Sequence, residues 1–192
     1  SSDLPVKTVK ELVALAKARP GELSYASSGS GSASHLATEL FKSIAGINLV
    51  HVPYKGAGPA TTDFLGGHVQ VLFIFNAEQV KSHAKAGRLR ALATATRQRV
   101  AEFPALPTMI EAGVPNYEAS VWNGVLAPTG TPRDIITRLN LQITQAVKEI
   151  TPALADIGAY PMASTPEEFA AFMRAAVGKW AKVVKLSGAR AD

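Results

Sequence analysis

The sequence predicts an α/β fold, a mostly parallel sheet flanked by helices and followed by C-terminal helices. Three observations carry that prediction. Strand-like and helical segments alternate from Leu23 onward, and the order strand, loop, helix repeats. The run Val69–Phe75 is apolar at nearly every position, as expected of a strand covered on both faces of a parallel sheet. After Pro132 come two long segments with apolar residues at helical spacing.

Between Thr8 and Arg19 the positions Val9, Leu12, Val13, Leu15 and Ala16 fall at helical spacing, with Thr8 able to cap the start and Pro20-Gly21 ending the run. Leu23–Ser27 reads as a short strand entering a glycine and serine loop. Leu36, Leu40, Phe41 and Ile44 then mark an amphipathic helix closed by Gly46. Leu49–Val52 is a second strand, and a short helix from about Ala60 to Leu65 ends at Gly66-Gly67. Val69–Phe75 is expected to be a central strand, with Asn76 at its carboxyl end, a helix to about Ala86, and a further strand over Arg90–Thr96. The stretch Arg97–Pro115 is rich in Pro and Gly and holds a short predicted helix over Thr108–Ala112. Ala119–Leu126, with Trp122, reads as another strand. One long helix carries Ile135, Ile136, Leu139, Ile143 and Val147; the other carries Phe169, Phe172, Met173, Ala176, Val177, Trp180, Val183 and Val184. Thr165 and Pro166 suit the cap and first position of the second.

With 192 residues and 47% hydrophobic content the chain can bury a core as one large domain or two small lobes. A formal net charge of +5 suits an acidic small molecule, a nucleic acid or an anionic surface. The absence of cysteine removes disulfides, thiolate metal sites and Cys nucleophiles together. No apolar run approaches the roughly 18 residues of a membrane span, and Ser1-Ser2-Asp3 does not open a signal-peptide pattern.

The best candidate site is the loop Ser27, Ser28, Gly29, Ser30, Gly31, Ser32, which joins a strand to a helix start. Gly29 and Gly31 let backbone N–H groups turn toward one point, and the helix beyond leaves its first N–H groups and positive dipole end facing outward. The plain alternative is a turn with helix-capping serines. Position favours an anion cradle, in which a carboxylate or phosphate accepts three or four hydrogen bonds from N–H groups and hydroxyls. His35 stands on the opening helical turn, and His51 at a strand end beside Tyr54 and Lys55; each either leans on a bound acid or closes a hydrogen-bond network. Tyr54 and Lys55, on a Pro/Gly loop, are either solvated or the wall of a cleft. Because open parallel sheets bind ligands at the carboxyl ends of their strands, Asn76 could face the same crevice.

Other chemistries lack their patterns. Ser34 stands where a dinucleotide fingerprint needs its third glycine, and no acidic residue stands near twenty positions on. There is no Gly-Lys-Ser/Thr and no G-x-S-x-G. Ser82-x-x-Lys85 lies in a predicted helix without companion motifs. His35, His51, His68 and His83 are scattered, so no metal or cofactor site is expected. Basic residues form no stripe and no aromatic ladder, which argues against nucleic acid. Phe169, Phe172 and Trp180 have the spacing of a buried stripe.

The segments Tyr25–Leu36, His51–Gly56, Leu89–Ala93, Pro104-x-x-Pro107-Thr108, Glu111–Gly113, Leu126–Pro132 and Ser164–Phe169 together closely resemble the Bug-type receptors. These are the extracytoplasmic solute-binding proteins of tripartite tricarboxylate transporters. The resemblance covers nearly the whole chain. It implies a non-enzymatic, periplasmic-binding-protein type II-like lobe, located in the periplasm, that binds a small organic acid and delivers it to a membrane permease. It maps the ligand contact of the second lobe onto Ser27 to Ser32, with the Tyr54 loop and the strand end near Asn76 on the same side. By the same resemblance, residues 3–118 form the second ligand-binding lobe. Residues 119–192 form a crossover strand and C-terminal helices that in the family return to a first lobe, and that first lobe is largely absent from this chain.

Two local departures stand out against the family pattern. After Phe73 the sequence reads Ile-Phe-Asn-Ala-Glu-Gln where many members have an Asp or small residue and then a proline, and Glu149–Met162 is shorter than usual. Without a first lobe, the apolar stripes of the last two helices are expected to repack on the second lobe or to bury themselves in a homodimer. An anion on the loop is then expected to be weakly held and open to solvent. The rival readings are a hydrolase or transferase using the loop as an oxyanion or phosphate cradle with His35 or His51 as base, and an interaction module built on the exposed apolar helices.

Overall fold

The computed structural model describes residues 4–156 and 158–189, so Asp3, the expected start of the lobe, Ile157 within the segment noted as short, and the last three residues lie outside the described residues. Residues up to Val121, together with those from Lys182, form one compact unit; Trp122–Ala181 form another.

In the first unit, α1 (Val9–Ala18) starts at Thr8, whose side chain accepts the Glu11 N–H while the Glu11 carboxylate accepts the Thr8 N–H, a reciprocal cap. β1 (Ser24–Ser27) leads into the Gly/Ser loop, and α2 (Ala33–Ala45) follows, capped by Ser32 and stopped by Gly46 in the left-handed conformation. β2 (Val50–Pro53), α3 (Ala57–Leu65), β3 (Val71–Leu72) and α4 (Ala77–Lys85) complete the alternation. The three strands form a parallel sheet in the order β2-β1-β3.

β1 is therefore the central strand, and its successive side chains enter different cores. Ala26 packs with Ala60 and Phe64 of α3 and with Val69 and Leu89. Tyr25 faces α2, where Phe41 meets Phe73 and the buried Tyr117, whose hydroxyl donates to the Ala37 carbonyl at 3.0 Å.

Several expected elements differ. Val69–Phe75 is not central: pairing covers only Val71–Leu72 at the sheet edge, because β2 holds the other side of β1 and no described strand lies beyond β3. Phe73 and Ile74 leave the ladder to pack on opposite sides, Phe73 on Phe41 and Ile74 on the α3 core. Arg90–Thr96 forms no strand, only an isolated bridge from Thr94 to Thr108, and the prolines at 104 and 107 have no N–H to extend it. Thr108–Ala112 is a turn rather than a helix. Ala119–Leu126 joins no ladder; it keeps one bond from the Ala119 N–H to the Ala95 carbonyl, and Val125 beyond is 70% exposed.

In the second unit, α5 (Arg133–Glu149) is followed by a short α6 (Thr151–Asp156) that periodicity did not reveal and by α7 (Pro166–Ser187), which continues into the first unit. Thr165 and Glu168 form a second reciprocal cap at its start. Trp122 meets Phe169 and Phe172 edge to face at 5.7 and 5.2 Å. The α5 and α7 stripes are only partly covered: Ile136, Ile143, Val147, Met173 and Trp180 are half-buried, whereas Ile135 and Leu139 are each 46% exposed and Val177 68%.

Candidate functional site

The site grows from the register of the sheet. Tyr25 of β1 pairs with His51 of β2, which sets their rings side by side on the α2 face. His35, on the first turn of α2, continues the column: its ring lies 3.9 Å from that of His51 with 6° between planes, and His51 lies 4.8 Å from Tyr25. Glu39 and Lys42 follow His35 along the same face of α2, as four- and three-residue steps require. Glu39 accepts a hydrogen bond from the Tyr25 hydroxyl and pairs with Lys42 at 2.6 Å, and Lys42 also sits 5.4 Å from the centre of the Tyr25 ring.

The Gly/Ser loop wraps the top of this column, and its internal bonds are numerous. Ser27 is fully buried; its hydroxyl lies 2.6 Å from His51 Nε2, donates to the Gly29 carbonyl at 3.1 Å and accepts the Gly29 N–H at 3.2 Å. The Ser28 N–H donates to Ser34 Oγ at 3.0 Å, the Ser32 N–H to the Gly29 carbonyl at 3.2 Å, and the Gly31 N–H to His35 Nδ1 at 3.0 Å. Gly29 and Gly31 make this winding possible at φ values of 133° and 75°. Ser32 caps α2 by accepting the His35 N–H. The N–H groups of Ser30, Ala33 and Ser34 keep no internal partner among the described residues, so the helix start retains donors for an incoming acceptor.

A cavity of about 510 Å³ runs from Ser30 past His35, His51, Glu39 and Lys42, and is bounded by Leu186, Ser187, Gly188 and Ala189. The column is electrostatically neutral at its heart. Burial, then the neighbouring His35, pushes the His51 imidazole down to about 4. Burial also lowers His35, against Glu39 and with Lys42. Burial and the bond to Glu39 push the Tyr25 phenol well above its ordinary value. A neutral His35 whose Nδ1 accepts the Gly31 N–H carries its proton on Nε2.

Of the residues singled out in the sequence, Ser30, His35 and His51 line this cavity, and Ser27, Ser28, Gly29, Gly31 and Ser32 shape the loop behind it. Tyr54 touches the loop through its backbone, its N–H donating to the Ser27 carbonyl at 3.0 Å, while its hydroxyl is turned to Asp63 at 2.8 Å. Asn76 caps α4 by accepting the Gln79 N–H and does not line the cavity. Tyr25, Glu39 and Lys42 were not foreseen as site residues. The visible signal was the polar stripe His35, Glu39, Lys42 at helical spacing. Among the described residues no group of three His, Cys, Asp or Glu could hold a metal, and no helix is long and apolar enough to cross a membrane.

Residues 1–189 match the family model described as tripartite tricarboxylate transporter family receptor. The chain belongs to that family. Among the receptor family's members, Protein BugT of Bordetella pertussis is 42% identical over 189 residues, which are 97% of this chain and 58% of that protein. The R. palustris protein Rpa4515, solved with adipate, superposes with a TM-score of 0.83 at 39% identity, covering 97% of this chain and 63% of that one. MatC (Rpa3494) from Rhodopseudomonas palustris, solved with bound malate, gives 0.75 at 26% identity over 95% of this chain and 64% of that one. The chain thus spans less than two thirds of each of these relatives. The α/β fold with its parallel sheet agrees with these structural neighbours.

Proposed function

We propose that this chain is the second ligand-binding lobe and return segment, residues 3–118 and 119–192, of a receptor that binds a small organic acid. On this reading it works in the periplasm and hands its ligand to a membrane permease of a tripartite tricarboxylate-type uptake system. The observation that carries the reading is the cavity where Ser30, the His35–His51 stack and Lys42 converge. Its volume falls in the roughly 300–1,000 Å³ range of small-molecule sites. Family membership, and the adipate and malate held by two relatives, support a carboxylate as the occupant. Backbone donors and hydroxyls recognise the carboxylate group, and the helix dipole supplies positive potential, Lys42 being paired with Glu39.

The catalytic alternative loses its footing. The relatives are receptors, and the serine held against a histidine, Ser27, is fully buried with its hydroxyl committed to the loop. Titration calorimetry of the 192-residue chain against adipate, malate, succinate and citrate tests the receptor reading. Binding of at least one acid, weakened by Ser30→Ala, is expected; no heat with any of them refutes it.

A homodimer is the second proposal, favoured by the exposed apolar positions on α5 and α7, among them Leu139, Phe172 and Val177. Light scattering after size exclusion should show mass rising with concentration, and a strict monomer at all concentrations refutes it.

A further inference from the structure

One polar contact in the cavity cannot survive a change of protonation, and it joins a ligand-facing ring to the loop. The Gly31 N–H donates to His35 Nδ1 at 3.0 Å. That nitrogen has a single lone pair in the ring plane, so it either accepts this bond or carries a proton. The ring cannot easily swing away, because it stacks at 3.9 Å on His51 and its backbone is fixed by the Ser32 cap. We propose that His35 is a proton-linked latch on the Gly/Ser loop: an arriving carboxylate takes over the Gly31 N–H, and His35 Nδ1 takes up one proton from solvent.

The latch rests on the carboxylate reading above and adds its regulation. Before binding, His35 is neutral with its proton on Nε2; after binding it is an imidazolium beside the anion, and the freed Gly31 N–H is a ligand donor. The exchange needs no partner beyond water's proton. The groups facing the ring fit it. From β1 comes the Tyr25 phenol, a neutral donor to Glu39; from β2, His51; from α2, Glu39 and Lys42, paired with each other; and from the end of α7, Ser187, with no titratable side chain over Leu186–Ala189. Two imidazolium ions at the His35–His51 distance repel strongly, which limits the pair to one proton. His51 is the poorer acceptor, since burial and then the neighbouring His35 hold it down near 4. By linkage, a ligand that favours the protonated ring binds more tightly as pH falls.

Calorimetry with adipate, and with succinate and citrate, in buffers of different ionisation heat counts the protons. Near neutral pH the parent chain should take up a substantial fraction of one proton per ligand bound, and affinity should rise by up to tenfold per unit as pH falls from about 8 toward about 6, where the acids are largely ionised. His35→Asn, whose amide oxygen can accept the Gly31 N–H but cannot be protonated, should abolish the uptake. Nitrogen-15 NMR of the free chain should show His35 as the Nε2–H tautomer. Binding without proton uptake, or uptake unchanged in His35→Asn, overturns the latch and leaves the receptor reading standing. An Nδ1–H tautomer in the free chain also overturns the latch, whether or not any acid binds. Failure of every acid to bind overturns both.

Discussion

Replacing Ser27 by alanine removes one oxygen from a position of zero exposure and should loosen the whole loop. That oxygen makes three contacts: His51 Nε2 at 2.6 Å, the Gly29 N–H at 3.2 Å and the Gly29 carbonyl at 3.1 Å. The carbonyl loses little, because it still accepts the Ser32 N–H. The other two are stranded. A buried polar group left unpaired costs about 1–3 kcal/mol, and since His51 and Gly29 are only half-buried and can recover some water, the lower part of that range applies to each. Their sum is about 2–3 kcal/mol. With a urea slope of about 1–3 kcal/mol per molar, the unfolding midpoint should fall by roughly 0.7–3 M. Ser28→Ala is the control. Its hydroxyl has one long contact, 3.2 Å to Ser34, and it should cost under about 1 kcal/mol. A Ser27→Ala midpoint within experimental error of the parent would refute the view that this hydroxyl ties β1, β2 and the loop together.

Gly29→Ala should destabilise the chain by about 1–3 kcal/mol, because φ is 133° and the new Cβ would stand 3.4 Å from the Tyr54 carbonyl oxygen; chemical denaturation measures it. Gly178→Ala should act in the opposite sense: it lies within α7 with open space around the new Cβ, and should raise stability by about 0.5–1 kcal/mol, read as a higher midpoint and greater helicity. His51 makes stability pH-dependent. Its folded value is held down to about 4 against an ordinary 6.5, so the unfolded chain binds more protons between them, and the ligand-free protein should lose stability as pH falls from 6.5 toward 4. The difference between parent and His51→Gln should vary over that window and stay flat above it; an equal difference at every pH would contradict the neutral buried ring.

The sequence was most legible where local chemistry decides. The caps at Thr8, Ser32 and Thr165, the stops at Gly46 and Gly66, and the strand, loop, helix order from Ser24 to Ala45 depend on residues within one turn of each other. It was least legible where pairing decides. Val69–Phe75 has the composition of a central strand, yet composition carries no information about which edge finds a partner, and β1, polar at Ser24 and Ser27, took the centre. The Arg90–Thr96 and Ala119–Leu126 runs show the same limit: an apolar run needs an adjacent free edge as well as a pattern. At the site, the loop and His35 could be read from type and spacing. Tyr25 could not, because its role depends on being opposite His51, a fact of register between residues far apart in the chain.

That register also explains why loop, cavity and charge belong to one device. Side chains alternate across a strand, so shifting β2 by one residue would turn His51 to the α3 face and bring Val50 or Val52 beside Tyr25. Ser27 would lose its imidazole partner, His35 its stacking surface, and Glu39 would stand by a tyrosine with no column beyond it. The three-stranded parallel pairing therefore sets the protonation of the histidines as well as the shape of the cavity. A substitution that weakens the β1–β2 pair at a position that does not itself line the cavity, such as proline at Val52, should accordingly change the His35 and His51 titrations together. If the two rings instead titrated independently of the strand pairing, the column would be a coincidence of packing rather than a consequence of the sheet.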